Sequence, residues 1–439
     1  MASGGDVSAV LDRFERAEEW IRSHRRWVRL ALWVGVAALA VQVVVFKNQG
    51  DLALSHEAVH DFWTGGNVYD ADELSPYLYS PLYLLLLSPI GWAGQLVGYG
   101  VTKALFTAVS MGSMAGAIVL LRRILAGSPP ERVPGWVLVV PLALSSRMLL
   151  NNLQHGQTNL IIFVCLLGSF TLLRSGRESW AALCILPAVA IKFVLPLLFV
   201  AYFAVRGHFR FAVTLTGLLV VGFVLPALVV GWEDNLALHA QWIRLMPDVA
   251  SRPEHLENWN NQSALAVALH LFRETSEGPP RIALLAAWVP PLIFGVVTLT
   301  MAAISGVAIF FHGGRSAQSE NQTELAELSL VLLVMAMTSP LAWMHYFSIW
   351  FVPLSLLCLA VARGHPHTPL YVATLVLIGV VVSLPGGTAH ASLSRAMLNW
   401  GSIFWCNAVV WLCMLDWLWK RPEPAAELST APGTEYVSS

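Results

Sequence analysis

Apolar runs of about 20 residues recur from one end of this chain to the other, and a run of that length is what a helix needs to cross the hydrocarbon of a bilayer. They fall at 28–46, 78–93, 101–121, 135–150, 158–173, 180–204, 211–230, 283–311, 325–343, 347–363, 369–385 and 400–419. In lipid the backbone must satisfy its own hydrogen bonds, so repeated runs of this kind can only be helices packed on one another. Charge agrees: 12% of residues are Asp, Glu, Lys or Arg, half the density of about 25% in a soluble domain, and too few to cover a water-facing surface. The 18 Trp suit the headgroup belts at which amphipathic rings settle. The expected fold class is therefore all-α, a polytopic integral membrane protein with about 12 transmembrane helices.

Arg22, Arg25, Arg26 and Arg29 precede the first run, and such a cluster keeps its flank on the cytoplasmic side. Residues 1–27 then form a cytoplasmic segment, amphipathic over 11–27, and 28–46 is a retained signal-anchor helix. Residues 28–421 make one transmembrane domain, and 422–439, rich in Pro, Ala, Ser and Thr, a disordered tail. Twelve crossings put 47–77, 231–281, the 343–346 corner and 385–400 together on the outer side. The same parity strands Arg122–Arg123 and Arg174–Arg177 outside, against the positive-inside bias, for which a re-entrant pair around 158–204 is the expected repair. The five Cys all lie in apolar runs without a CxxC spacing and are read as packing residues.

The first long polar interval holds the residues that could do chemistry. Its string HEAVH places His56 and His60 at i, i+4 with Glu57 between them, the spacing of a zinc-peptidase helix. A catalytic zinc needs a third protein ligand, and the extended motif fails because Trp63 and Gly66 stand where Gly and His are required. Read as an amphipathic helix lying along the membrane surface, the segment puts Leu52, Val59, Phe62 and Trp63 on one face. Asp61 falls on a neighbouring strip, at the rim of any cavity between spans, where a carboxylate could act as base on a hydroxyl whose partner arrives from the lipid.

Four further stretches carry a resemblance when taken in order: DFWTGGNVYDADELSPYLYSPLYLLLLSPI, HGQTNLIIFVCLLGSFTLLRSGRESWAALCILPAVAIKFVLPLLFV, NWNNQSALAVAL and TSPLAWMHYFSIWFVPL. Together they resemble glycosyltransferase family 87, polyprenol-phosphate-mannose-dependent enzymes of the GT-C type. The resemblance implies a GT-C-like membrane domain with a juxtamembrane helix in the first outer loop. It also implies Asp61 as the catalytic base, from the family's first-loop Asp, although Gly65 and Gly66 stand near the place of the motif's Tyr and the next Tyr is Tyr69. The family's Ser-Pro…His-His corner matches Ser339, Pro340, Trp343 and His345, with Ala342 and Tyr346 departing from it. Its Gly-Gln-x-Asn element falls on Gly156, Gln157 and Asn159, its Lys on Lys192 with Pro196 one residue late, and its Asn-Gln-Ser on Asn261, Gln262 and Ser263.

The expected reaction moves a hexose, mannose by resemblance, from a polyprenyl-phosphate donor to a lipid or glycan hydroxyl, with inversion, at the outer face of the plasma (inner) membrane. His345 and Lys192 are the candidates for the donor phosphate, whose leaving anion needs cationic or hydrogen-bonding partners more than an acid. Tyr79, Asn261 and Gln262 are the substrate-binding candidates, with a turn role open for the last two. Gln157 and Asn159 fall on the inner side by parity and read as capping or packing residues. No metal, no cofactor and no nucleic-acid partner are expected; the lipid-linked sugar phosphate is a co-substrate. Two other readings stay open: a transporter or flippase of a lipid-linked sugar, and a zinc metallopeptidase using His56, Glu57 and His60.

Overall fold

A computed structural model describes Arg13 and residues 16–70, 76–127, 132–312, 320–383 and 391–419. Its first long helix, α1 (Arg25–Phe46), is apolar nearly all round and almost wholly exposed, as a lipid-facing anchor must be. Two helices follow in the first loop, α2 (Gly50–Thr64) and α3 (Pro81–Val97), before the long α4 (Tyr99–Ala126). α2 and α3 run antiparallel along their whole length. Trp63 Nε1 donates to Ser88 Oγ at 2.8 Å, Gln95 Nε2 lies 3.2 Å from His56 Nε2, and Gly91 lets Val59 approach so closely that a Cβ there would sit 2.7 Å from Val59 Cγ1. The pair returns to where it began, because Tyr99 Oη donates to the carbonyls of Asn48 and Gln49, both at 3.2 Å.

This corrects one expectation. The 78–93 run is not a crossing; it is the second arm of a loop hairpin whose two ends meet at one end of the bundle. A second correction concerns 180–204, which is broken: α8 (Glu178–Ile191) stops before Lys192 and α9 (Val194–Val205) runs back. Lys192 therefore occupies a corner between two helices and not the middle of a span. The remaining segments are the bent pair α5 (Trp136–Leu144) and α6 (Ser146–His155), crossing at 58° just after Pro141, then α7 (Asn159–Arg174) and α10 (Phe209–Val224). After them come α11 (Ala227–Val230), α12 (Trp232–Ser251), α13 (Pro253–Leu256), α14 (Ala264–Phe272), α15 (Val289–His312) and α16 (Glu320–Thr338). A 3₁₀ turn at Met344–Trp350 leads into α17 (Phe351–Ala362), followed by α18 (Thr368–Ser383), α19 (Ala391–Asn399) and α20 (Ser402–Trp419).

Six of these are long and apolar enough to cross a membrane unaided, or seven with the bent pair, by length and composition among the described residues. α7, α8 and α9, at 16, 14 and 12 residues, rise only about 24, 21 and 18 Å, short of the roughly 30 Å of hydrocarbon, and pack within the bundle. Losing 78–93 and dividing 180–204 leaves the expected number of bundle segments unchanged but reverses the parity between them. The ends then sort by charge. At one end Arg174 pairs with Glu324 at 3.2 Å, Arg206 with Glu327 at 3.5 Å and His208 with Glu178 at 3.2 Å, and Arg122, Arg123 and Arg363 close their helices on that side. At the other end meet 47–51, 76–80, 151–159, 190–193, 258–263 and 338–346. The conflict with the positive-inside bias disappears, because it came from counting α3.

The N-terminal segment docks at the basic end, where Glu18 accepts from the Gly135 backbone N–H and pairs with Arg132 at 3.5 Å. The tail 422–439 lies outside the described residues. Interior amides hold the bundle where apolar contact alone gives little specificity: Trp350 Nε1 donates to Asn407 Oδ1 at 2.6 Å, and Asn407 Nδ2 to the Leu333 carbonyl at 3.2 Å. All five Cys are free and none is fully exposed, in keeping with packing roles.

Candidate active site

α2 begins with a conformational cost. Gln49, its N-cap, is the one non-glycine residue at positive φ (+50°) among the described residues, a position that strains an L side chain. Burial and two hydrogen bonds hold it there, from Nε2 to Thr107 Oγ1 at 3.1 Å and to the Leu153 carbonyl at 3.0 Å. Two residues on, Asp51 lies in the first turn of α2, where a carboxylate complements the helix dipole.

Opposite it is the corner between α6 and α7. Gly156 caps α6 at φ +68°, and a Cβ there would sit 2.6 Å from Leu52 Cβ, so only glycine lets this corner reach α2. The approach brings Gln157, 8% exposed, against Asp51, and its Nε2 donates to Oδ2. Burial pushes the Asp51 carboxyl above its ordinary value; the Gln157 hydrogen bond, then the charges of His155 and Lys192, act the other way.

Lys192 closes the site from the α8–α9 corner. Its Nζ donates to Asn159 Oδ1 at 2.7 Å and stands 3.4 Å from the centroid of the Tyr346 ring, close enough for a strong cation–π contact. Below them is a small cavity lined by Asn159, Ile162, Phe163, Leu166, Lys192, Met335, Ala336, Tyr346 and Ile349. The 3₁₀ turn that supplies Tyr346 also supplies His345, whose Nδ1 lies 3.2 Å from Asn151 Oδ1 on α6. Tyr79 completes the group. Burial lifts its phenol well above the ordinary value, and the Asp51 charge adds to that. Tyr69 Oη donates to the Tyr79 carbonyl at 2.8 Å, and the rings of Tyr69, Tyr77, Tyr79 and Tyr83 form a chain, tilted in the first pair and edge to face in the next two.

Among the expected residues, Lys192, His345 and Tyr79 thus converge. Gln157 and Asn159, read as inner-side packing residues, lie at the same end of the bundle as these three and touch Asp51 and Lys192. Asp61 does not join them. It lies ten residues along α2 from Asp51, about 15 Å away by helical rise, in the last turn where its carbonyl accepts from Gly66 N at 2.8 Å. The residues missed from sequence are Asp51, Asn151 and His155. Asp51 had a signal: it lies four residues before Ser55 and eight before Val59, on the stripe that α2 buries.

Asn261 and Gln262 spend nearly all their polar groups on the fold. Asn261 Nδ2 donates to the Pro340 carbonyl at 3.0 Å, and its Oδ1 accepts from Ala342 N at 3.0 Å and Ser263 N at 3.2 Å. Gln262 Nε2 donates to the carbonyls of Trp259 (2.8 Å) and Leu398 (2.9 Å), and its Oε1 accepts from Ile403 N at 3.2 Å. Both are fully buried. Of the two roles open to them, the turn role fits: they pin the start of α14 to the 339–343 corner and to the α19–α20 corner.

HEAVH is divided by the fold. His56 turns inward to Gln95 and to Thr102 Oγ1 at 3.2 Å, and burial lowers its imidazole below the ordinary value, while Glu57 and His60 are exposed. Among the described residues no three His, Cys, Asp or Glu side chains gather as a metal site. Asp72 and Glu73, carboxylates close enough in sequence to fold back as a third zinc ligand, lie outside the described residues.

Compared with known proteins, the chain matches the family model of glycosyltransferase family 87 over residues 77–340, more than half its length. Gln157, Asn159, Lys192, Asn261 and Gln262 fall within the match; Asp51, Asp61 and His345 fall outside it. No curated protein matches the chain.

Proposed function

The chain belongs to glycosyltransferase family 87 and is a multi-pass membrane glycosyltransferase; on that premise we propose that its active site is the corner holding Asp51, Gln157, Lys192 and Tyr346, and that Asp51 is the base. The observation that carries this reading is that one corner brings together a partly buried carboxylate and a partly buried ammonium, each held by its own amide, Asp51 by Gln157 and Lys192 by Asn159. A sugar phosphate needs both. As the acceptor oxygen forms its bond to C1, Asp51 takes the hydroxyl proton. The C1–O bond to phosphate breaks on the opposite face, and its electron pair leaves with the phosphate. The products are an inverted glycoside, a lipid phosphate and a protonated Asp51 that returns its proton to solvent.

Lys192 has three N–H donors, of which Asn159 takes one and the Tyr346 face another. The third is left for a phosphate oxygen, where an oriented cation in a dry site stabilises the developing charge. Single displacement from a polyprenyl-phosphate hexose, mannose by family resemblance, to a lipid or glycan hydroxyl is the reaction these groups suit. The first-loop hairpin α2–α3, with the base at its start, supports a GT-C-like arrangement. The basic end of the bundle marks the cytoplasmic side by charge, so the site would open on the outer face of the inner membrane. Sugar transfer from radiolabelled polyprenyl-phosphate mannose, measured in membranes carrying Asp51→Asn or Asp61→Asn, tests the assignment; loss confined to Asp61→Asn would overturn it.

A further inference from the structure

His345 and Tyr346 are neighbours in one 3₁₀ turn, yet they serve different partners. The Tyr346 ring lies under Lys192, whereas His345 turns to α6 and meets Asn151. His345 is 6% exposed, so the state of its two ring nitrogens is fixed by what touches them. Asn151 offers its amide oxygen at 3.2 Å to Nδ1, and an amide oxygen only accepts. Nδ1 therefore carries a proton, and in the neutral ring Nε2 is left with a lone pair.

A phosphodiester has no proton to give such a nitrogen, but a sugar hydroxyl does. We infer that Asn151 is a positioning residue for the transfer: by holding the Nδ1–H tautomer of His345 it leaves Nε2 to accept a hydrogen bond from a sugar hydroxyl, while Lys192 alone meets the phosphate. This rests on the active-site reading above and divides its labour, removing His345 from phosphate binding.

Two variants of the full-length protein test it in transfer assays with polyprenyl-phosphate mannose and a membrane lipid extract as acceptor. Asn151→Leu removes the acceptor oxygen; kcat falls about 10–100-fold, as when the orienting partner of a working imidazole is lost, with the donor KM nearly unchanged. Asn151→Asp keeps the oxygen and adds a charge that favours the imidazolium. It restores transfer, with the rise of the pH–rate profile displaced to higher pH. The titratable groups facing the ring are Lys192, His155 and the neighbouring Tyr346, and all three are intact in either variant.

Wild-type kcat in Asn151→Leu would overturn the inference. So would an Asn151→Asp enzyme that has the wild-type pH profile, or that is as inactive as Asn151→Leu at every pH. Should Asn151→Leu fail to fold, the Asn151→Asp profile decides alone. Activity surviving in Asp51→Asn would instead bring down the active-site reading; an inactive Asp51→Asn beside unaltered Asn151 variants removes only this inference.

Discussion

Gln157 donates a hydrogen bond to Asp51 across more than a hundred residues of chain, joining the α6–α7 corner to the first turn of α2. The contact gives the carboxylate one fixed oxygen, and in the proposed mechanism the other meets the acceptor hydroxyl. It also places Gln157, Asn159 and Lys192 around the same few ångströms, because Asn159 is two residues past Gln157 and bonds Lys192 at 2.7 Å.

If Asp51 takes the acceptor proton, its loss removes a general base, a contribution of about 10²–10⁴-fold. Asp51→Asn keeps the shape and the Gln157 neighbour, so kcat for sugar transfer should fall by that order with the protein still folded. Asp61→Asn, about 15 Å along the helix, should transfer at close to the wild-type rate. The two variants compared in one membrane assay decide which carboxylate works.

Burial raises the Asp51 carboxyl, and the Gln157 hydrogen bond is the largest influence opposing that rise. A base works only when ionised, so the rate falls as pH drops through the Asp51 value. Gln157→Leu withdraws the bond that favours the anion and should move this acid limb to higher pH. The pH dependence of kcat for the two enzymes measures the displacement, and a shift to lower pH would contradict the assignment.

The fold was legible where its physics is local. Apolar runs mark membrane helices wherever the run is long, and α1, α4 and α15 lie close to their expected bounds. The 78–93 run misled because an apolar helix in a loop hairpin looks like a span until its partner is known; what decides is Trp63 meeting Ser88 and Tyr99 reaching Gln49, both long-range facts. Lys192 was recognisable as an unusual charge, but the break in the helix around it was not, since residues 180–204 are apolar on both sides. The proposed site was only partly legible. Lys192, His345 and Tyr79 stand out by residue type, whereas Asp51 competes with Asp61 in one helix, and only the approach of Gln157 through Gly156 separates the two.

Lys192 should matter for the donor more than for the fold of α8. Lys192→Met keeps much of the stem and removes the charge, leaving Asn159 Oδ1 and the Tyr346 face without their cation. Loss of an oriented group that stabilises transition-state charge costs about 10²–10³-fold in kcat. Lys192→Arg should recover part of it, because a guanidinium keeps the charge and can stack on the Tyr346 ring, but its longer planar fork presents its N–H donors in another geometry than the ammonium that now meets Asn159 at 2.7 Å. Steady-state kinetics with varied polyprenyl-phosphate donor check both.

Asn261→Ala separates a turn role from a substrate role. It strips the partner from the buried N–H groups of Ala342 and Ser263, at about 1–3 kcal/mol for each group left unpaired. The detergent-solubilised variant should unfold at lower temperature, with KM for donor and acceptor unchanged in the folded fraction. An unchanged unfolding temperature with a raised KM would instead return Asn261 to the substrate.

Gly156→Ala probes the contact on which the site depends. The new methyl would meet Leu52 Cβ at 2.6 Å and Gln49 Cβ at 3.1 Å, at a backbone φ of +68° that an L residue rarely adopts. Strain and overpacking each cost about 1–3 kcal/mol, and the cheapest relief is for the α6–α7 corner to back away from α2. That movement withdraws Gln157 from Asp51. Gly156→Ala should therefore combine a lower unfolding temperature with the raised acid limb expected of Gln157→Leu, whereas a substitution that only destabilised the bundle would leave the pH profile of the surviving enzyme where it was. Thermal unfolding and the pH–rate profile, measured on the same preparation, distinguish the two.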